Sequence, residues 1–474
     1  VSPNACFGKK PARKQIALCL DCLEQTIAKG WDQLKNSQTD KPMTVGAAAA
    51  LGVGSMVGAG IFALMGEAGT IAGSAVYLSF IAAGIIALAS GYSMARLGAR
   101  FPAAGGIVEY LAQGYGIGLI SGALSILLYI SALVALALVA KTFGSYALAL
   151  LPVKGDARWV NALADFIIIA FVLLNLEGAK SVARLETFIV ALKVLILSGF
   201  AAAGLYVAQP EAFSPERYPP ASQVLYSLAV TFFAFEGFRV ITNSAEDMPD
   251  PHKTLPRAMF LAIGAVLVIY VAVALAVFGN LDVQQVIDAK DYALAEAARP
   301  IFGAAGFSIV AIAALISTAS SINANLYAVT NVTYQLAKEG ELPTNFGQPM
   351  GRSREGLVIS AGFIILLGHT LDLSEIAAVG SITVLIVHLM VHIGHLRLLH
   401  ETGASLALVL AAIGLILVAI GFAFFYAAQV SPHILWLVVG SLGVAVAMES
   451  GLHSVTGRRI QRRMPEGSHS RTNP

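Results

Sequence analysis

The chain has 474 residues, 57% of them hydrophobic and only 12% charged, against about 25% charged in a soluble globular domain. The apolar surplus runs along the whole chain, which excludes a soluble fold built on one core. The formal net charge of +2 gives no reason to expect a nucleic-acid partner.

Twelve stretches reach the ~20 apolar residues needed to cross about 30 Å of hydrocarbon. They lie near 43–65, 72–96, 109–150, 160–177, 185–208, 222–246, 256–279, 304–336, 357–371, 374–396, 404–428 and 432–453. Backbone groups in hydrocarbon must bond within their own segment, so an all-α integral membrane protein is expected. The third and eighth spans are long enough to tilt, bend or project, and the ninth is short.

Ahead of the spans, residues 1–41 are charged and amphipathic. An expected surface helix over 11–36 carries Ile16, Leu20, Leu23, Ile27 and Leu34 on one side, and no signal-peptide cleavage pattern follows. Cys6, Cys19 and Cys22 all fall here. No second cysteine pair completes a zinc site, so reduced structural thiols are expected, with no metal and no cofactor.

The first span holds Gly52, Gly54, Ser55, Gly58, Ala59 and Gly60 at mid-membrane. Such a run serves either close helix packing through small residues or an unwound segment that offers backbone groups to a ligand. In the fifth span, Lys193 is a lone charge within Phe188 to Leu197. Its ammonium either finds partners inside the bundle or snorkels to the interface near Arg184 and Glu186.

The sixth span reads Phe232-Phe233-Ala234-Phe235-Glu236-Gly237-Phe238-Arg239. Glu236 and Arg239 are three apart, close enough to pair on a helix, and Asn243 and Glu246 continue that face. A charge at the bilayer centre costs about 2.5–3.5 kcal/mol. The pair either satisfies itself or lines a solute path, and Glu236-Gly237 is read as a break in the helix. In the tenth span His388, His392 and His395 fall at i, i+4, i+7, with Arg397 and His400 beyond. No carboxylate or Cys accompanies them, so a polar stripe facing the bundle interior is favoured over a transition-metal site or a pH sensor. Asp282, Asp288 and Asp291 in an outer loop are expected to be solvated.

Breaks in the first and sixth spans would occupy matching places in two sets of five, which is the pattern of a midplane transport site. Half-helix N-termini there attract a carboxylate, and freed carbonyls accept from an ammonium. With the N-terminus in the cytoplasm, the inner segments hold most of the 30 Lys and Arg. The outer loops keep only Lys154, Arg158, Arg217, Lys290 and Arg299. That asymmetry places both termini inside a cell membrane, plasma or bacterial inner.

Gly54-Ser-Met-Val-Gly58-Ala-Gly60-Ile-Phe62 resembles the helix 1 signature of the amino acid–polyamine–organocation (APC) transporter superfamily. Phe232 to Phe238, followed by Ala245-Glu-Asp-Met-Pro-Asp-Pro251 and Leu255-Pro-Arg257, resembles its helix 6 and the loop beyond. Phe101 to Gly106, Asn175 to Lys180, and Ser317 to Asn323 leading to Ala337 to Pro343 also fit, in the right order, over about 43–400. The resemblance implies a LeuT-type fold of twelve transmembrane helices, with helices 1 and 6 broken. Its 5+5 inverted repeat would cover 42–208 and 221–400. Two C-terminal helices would follow at 403–454, with cytoplasmic segments at 1–41 and 455–474.

It also implies proton-coupled amino-acid transport by alternating access. Gly58, Ala59 and Gly60, with Ser55 beside them, would hold the substrate carboxylate. The carbonyls of Phe233, Ala234 and Phe235, next to Glu236 and Gly237, would face its ammonium. Tyr129, Ala132, Leu133 and Ala137 would shape the side-chain end, with Asn323 as a further lining residue. Tyr129 and Phe235 read equally as packed core aromatics.

In the similar proton-coupled permeases a lysine at the place of Lys193 stands where sodium-coupled relatives hold sodium. Its expected partners are carbonyls near Gly54 and Ser55 and the hydroxyls of Ser317 and Ser320, which alternatively bond back to their own helix. Arg239 stands where the family usually has a small or acidic residue. Free, it would suit an acidic substrate; paired with Glu236, the favoured arrangement, it leaves a neutral pocket for a small apolar amino acid. The expected partners are thus an amino acid, protons and the lipid bilayer. The rivals are a carrier of a polyamine, other amine or ion, a channel, and a membrane enzyme. No HExxH, GxSxG or P-loop supports the last.

Overall fold

The computed structural model describes residues 43–456 except 104, 153–155, 178–181, 215, 217, 340–343, 351 and 352. The expected N-terminal surface helix, the three cysteines and the basic tail lie outside the described residues, as do Lys154, Lys180 and Arg217.

Helix α1 (Val45–Ala72) starts where the Thr44 hydroxyl accepts from the Ala47 N–H and stops at Gly73, whose φ of 53° suits a residue without a side chain. A short 3-10 turn leads to α2 (Val76–Arg100). The long third span divides into α3 (Ile107–Tyr115) and α4 (Leu119–Leu150), because Gly116, at φ 76°, turns the chain between them. Next come α5 (Ala157–Glu177) and α6 (Val182–Val207).

The sixth span is α7 (Ala221–Tyr226), α8 (Leu228–Phe233) and then a 3-10 run, Glu236–Asp247. Helices α9 (Pro251–Asn280), α10 (Val283–Asp288) and α11 (Ala293–Glu339) follow, α11 kinked at Gly303. A small hairpin pairs β1 (Pro349–Met350) with β2 (Ser353–Arg354), the one described departure from an all-α fold. Last come α12 (Glu355–Thr370), α13 (Leu373–His395), α14 (Leu399–Thr402), α15 (Leu406–Val430) and α16 (His433–Thr456).

Among the described residues, ten helical stretches are long and apolar enough to cross a membrane, and Val45–Gly58 and α12 are shorter apolar ones. Large apolar side chains such as Phe166, Leu195, Leu417 and Trp436 stand exposed on the outer helices. Buried positions hold polar groups including Ser90, Ser93, Lys193 and His388. That distribution suits a solvent of lipid chains. Helix α9 packs against α1, α2 and α6, and α4 against α11 and α13, so α1 and the sixth span sit in the middle of the bundle.

Two expectations are corrected here. Helix α1 is one α-helix from Val45 to Ala72, not a broken one. Its glycines serve close approach: a Cβ on Gly54 would strike Val190, one on Gly58 would crowd Ser321, and one on Gly60 would collide with the carbonyl of Ala234. The sixth span does change character, but it tightens rather than opens. Phe235 and Phe238 donate to carbonyls three residues back, and the 3-10 run then continues for 12 residues. Such runs are rare beyond three or four residues and mark a segment held by its surroundings.

Candidate functional site

Three side chains from three helices reach the backbone of α1 in one short stretch. Lys193 Nζ on α6 lies 2.5 Å from Gly54 O. Tyr270 on α9 donates to Met56 O at 2.7 Å and also reaches Ala234 O at 3.1 Å. Ser317 on α11 donates to Val57 O at 3.3 Å. A carbonyl has two lone pairs, so each can take a second donor while its helical bond persists. The backbone polarity that an unwound helix would expose is thus reached on an intact one.

Lys193 is 2% exposed, so it does not snorkel to the interface. Its amine also stands 3.5 Å from where a Cβ on Gly58 would sit, which places Gly58 beside the lysine rather than against a ligand. Ser317 bonds across to α1 instead of back to its own helix. Ser320 is buried on the same helix.

A cavity of about 60 Å³ lies between α1, α4, the sixth span and α11. That is room for roughly four to six water-sized atoms. Ser55, Gly60, Phe233, Ala234, Glu236, Gly237 and Arg239 line it, as the sequence led us to expect. Other expected lining residues stand elsewhere. The Tyr129 and Ser360 hydroxyls meet at 2.8 Å, and Tyr129 packs edge-on against Phe346. Ala132, Leu133 and Ala137 belong to the apolar packing of α4. Phe235 is fully buried against Tyr270.

Asn323 accepts from Asn175 at 3.0 Å, while Asn325, two positions on, lines the cavity instead. A two-residue step moves a helical side chain by about 200°, so naming the wrong asparagine selects the wrong face. The side chain of Ala59 lies outside the described residues. Sequence reasoning also missed Met56, Leu64 and Val139 on the wall, and Tyr270 behind it. Tyr270 alone carried a signal, as a hydroxyl inside the apolar run of α9 that must find an acceptor.

The expected ion pair forms: Arg239 Nε lies 2.6 Å from Glu236 Oε1. On a 3-10 helix residues i and i+3 eclipse, which aligns the two side chains. Glu236 Oε2 meets His388 Nε2 on α13 at 2.9 Å, a partner the sequence did not suggest. The histidine stripe faces inward, where it bonds to serines of α2. Among the described residues no cluster of His, Cys, Asp and Glu could hold a metal ion. Asp291, expected in solvent, is partly buried and accepts from Ser145 at 3.4 Å. Near it Lys290 pairs with Glu67 of α1 at 2.9 Å.

The comparisons agree with this architecture. Residues 44–447 match a family model described as amino acid permease. The inner membrane transport protein YbaT of Escherichia coli is 37% identical over 407 residues, 85% of this chain and 94% of its own length. The methylthioribose transporter of Bacillus subtilis is 27% identical over 371 residues, 71% of this chain and 78% of its own. The branched-chain amino acid permease BcaP of the same organism is 26% identical over 352 residues, 70% of this chain and 75% of its own. This chain is therefore a multi-pass membrane transporter that belongs to the amino acid permease family of the APC superfamily.

Proposed function

We propose that this protein is a secondary active transporter that carries a small neutral amino acid together with a proton, by alternating access, on a twelve-helix 5+5 framework in a cell membrane. The observation that carries the reading is the buried amine of Lys193 at 2.5 Å from Gly54 O, on the same stretch of α1 that gives Ser55, Met56 and Gly60 to the cavity wall. A proton on that amine and a solute in that cavity both act on one helix segment, which is the physical requirement for coupling them.

The wall supports a zwitterion. Carbonyls of the sixth span around Phe233 and Ala234, with the Glu236 carboxylate, suit an ammonium. The Ser55 hydroxyl supplies a donor for a carboxylate, while the Asn325 amide N–H groups are engaged by Ser321. The small cavity and the engagement of Arg239 by Glu236 favour a short apolar side chain. The relatives are named for solutes as different as a branched-chain amino acid and methylthioribose, so a carrier of another solute is the second reading.

A thermal-shift screen of the purified protein against the twenty amino acids and common amines tests the substrate. A ligand at a hundred times its Kd adds about 2.7 kcal/mol of stability. Small neutral amino acids are expected to raise the unfolding temperature, and stabilisation by amines alone would favour the second reading. Uptake into proteoliposomes is expected to persist without sodium and to collapse with a protonophore. Strict sodium dependence would overturn the proton coupling.

Arg239→Ala is expected to leave alanine uptake within about three-fold of the parent, less than 1 kcal/mol, because Glu236 keeps His388 as a partner. Selective loss of glutamate or aspartate uptake in that variant would instead assign Arg239 to recognition of an acidic side chain.

A further inference from the structure

The histidine stripe of α13 makes more than a packing contact. His388 Nε2 lies at an ion-pair distance of 2.9 Å from Glu236 Oε2, without the alignment of a hydrogen bond, and its Nδ1 meets Ser90 Oγ at 3.0 Å. Ser90 Oγ meets His392 Nε2 at 2.9 Å, and His392 Nδ1 meets Ser93 Oγ at 2.8 Å. Ser93 Oγ meets His395 Nδ1 at 2.7 Å, and His395 Nε2 meets Thr402 Oγ1 at 2.9 Å. Thr402 Oγ1 also lies 3.1 Å from Leu398 O.

His392 and His395 are thus hydrogen-bonded at both nitrogens, His388 is bonded at Nδ1 with its Nε2 in ion-pair contact with Glu236, and each serine bridges two imidazoles. The spacing is the cause: i, i+4, i+7 on α13 interleaves with i, i+3 on α2, so hydroxyls and rings alternate along the crossing. The rings and both serines are at most 1% exposed, so they must satisfy one another. One end is Glu236 on the cavity wall. The other end is Thr402, next to exposed Gly403.

We infer that Glu236, His388, Ser90, His392, Ser93, His395 and Thr402 form a proton relay between the solute cavity and the membrane face that carries α14. The inference rests on the proton-coupled reading above and adds the route by which the proton leaves or reaches the cavity. With Glu236 ionised, the row has one consistent sense. His388 Nε2–H faces Glu236 at the ion-pair distance, Ser90 donates to His388 Nδ1, and His392 Nε2–H donates to Ser90. Ser93 donates to His392 Nδ1, His395 Nδ1–H to Ser93, and Thr402 to His395 Nε2.

A proton taken up by Thr402 shifts each N–H and O–H proton one place along. The row ends reversed, with Glu236 protonated and Thr402 donating to Leu398 O. One proton enters, one carboxylate is neutralised, and only N–H and O–H bonds form or break. The charged groups facing the row are Glu236 and Arg239 of the sixth span at the cavity end and Arg96 of α2 beside His395 at the other. Helix α15, packed along α13 and α2, brings no acid or base, and Arg397 of the turn after α13 donates away from the row to Gly114 O. A zipper that only joined α2 to α13 would share the same order of donors and acceptors but would not need the cavity carboxylate at its end.

Nitrogen NMR of histidine-labelled protein in detergent reads the sense without any substrate. In either sense His388 and His392 share one tautomer and His395 has the opposite one. Three identical tautomers would leave Ser93 facing two bare nitrogens or two N–H groups, and would overturn the relay.

The transport arm uses proteoliposomes and L-alanine. Ser93→Ala is expected to retain L-alanine counterflow and lose L-alanine-driven proton movement, and Ser93→Thr, which keeps the hydroxyl, is expected to restore it. Proton movement that survives Ser93→Ala overturns the relay alone. Parent protein that exchanges L-alanine without moving protons overturns the coupling and the relay together.

Discussion

Lys193→Ala is expected to abolish accumulation of substrate driven by a pH gradient, a fall of about ten-fold or more (~1.4 kcal/mol of lost coupling), while counterflow continues. Two forces act on the lysine proton. Burial disfavours the ammonium, and the α1 carbonyl at 2.5 Å favours it. Their balance depends on how closely α1 stands to α6, and a shift of about 1 Å is large against a hydrogen bond. Under the proposed coupling, a conformational cycle that moves α1 would take up and release a proton at Lys193.

Alanine removes the titrating group and leaves the cavity wall intact, since Lys193 is not part of it. Accumulation and exchange should therefore separate. Lys193→Ala protein that concentrates substrate as the parent does would show that the proton is carried elsewhere. Loss of counterflow as well as accumulation would give Lys193 a structural role in holding α1.

The fold was legible because hydrocarbon leaves the backbone few choices, and a helix covers each apolar stretch read from the sequence. The bends at Gly73 and Gly116, where glycine takes a positive φ, were not read from the sequence. Other glycines were ambiguous. Those of α1 could permit unwinding or close contact, and only the neighbours Val190, Ser321 and Ala234 decide for contact. In the site, Glu236 and Arg239 were readable as a local i, i+3 pair, and Lys193 as a buried charge requiring an acceptor.

What was not readable depends on helix crossings. Ser90 and Ser93 lie about 300 residues from the histidines they bridge, and nothing in α2 alone marks them. Tyr129 and Asn323 were placed by analogy of position. Each side chain turns toward a partner outside the cavity, Ser360 and Asn175.

Gly60→Ala is expected to destabilise the protein by roughly 2–4 kcal/mol and to remove transport. The new Cβ would collide with Ala234 O, stand 2.5 Å from Tyr270 Oη and 2.9 Å from Ala234 C. Backbone on one side and a bonded hydroxyl on the other cannot yield as a flexible side chain would. Overpacking of this kind costs about 1–3 kcal/mol. Tyr270 would also give up the one O–H bond it shares between Met56 O and Ala234 O, at about 1 kcal/mol.

That shared bond fixes α1 against the sixth span, and the cavity lies between the two, so its shape goes with it. The opposite contact is equally tight: a Cβ on Gly237 would stand 2.5 Å from Met56 N and 2.6 Å from Ser55 C. Gly362→Ala in α12 is the control. Nothing lies within 4 Å of its added Cβ, and a helical alanine gains up to about 1 kcal/mol over glycine. Unfolding temperatures in detergent and initial uptake rates compare the two variants with the parent. Gly60→Ala protein that melts and transports like Gly362→Ala protein would mean that α1 and the sixth span do not touch through Gly60, and the glycines of α1 would again need the unwound explanation.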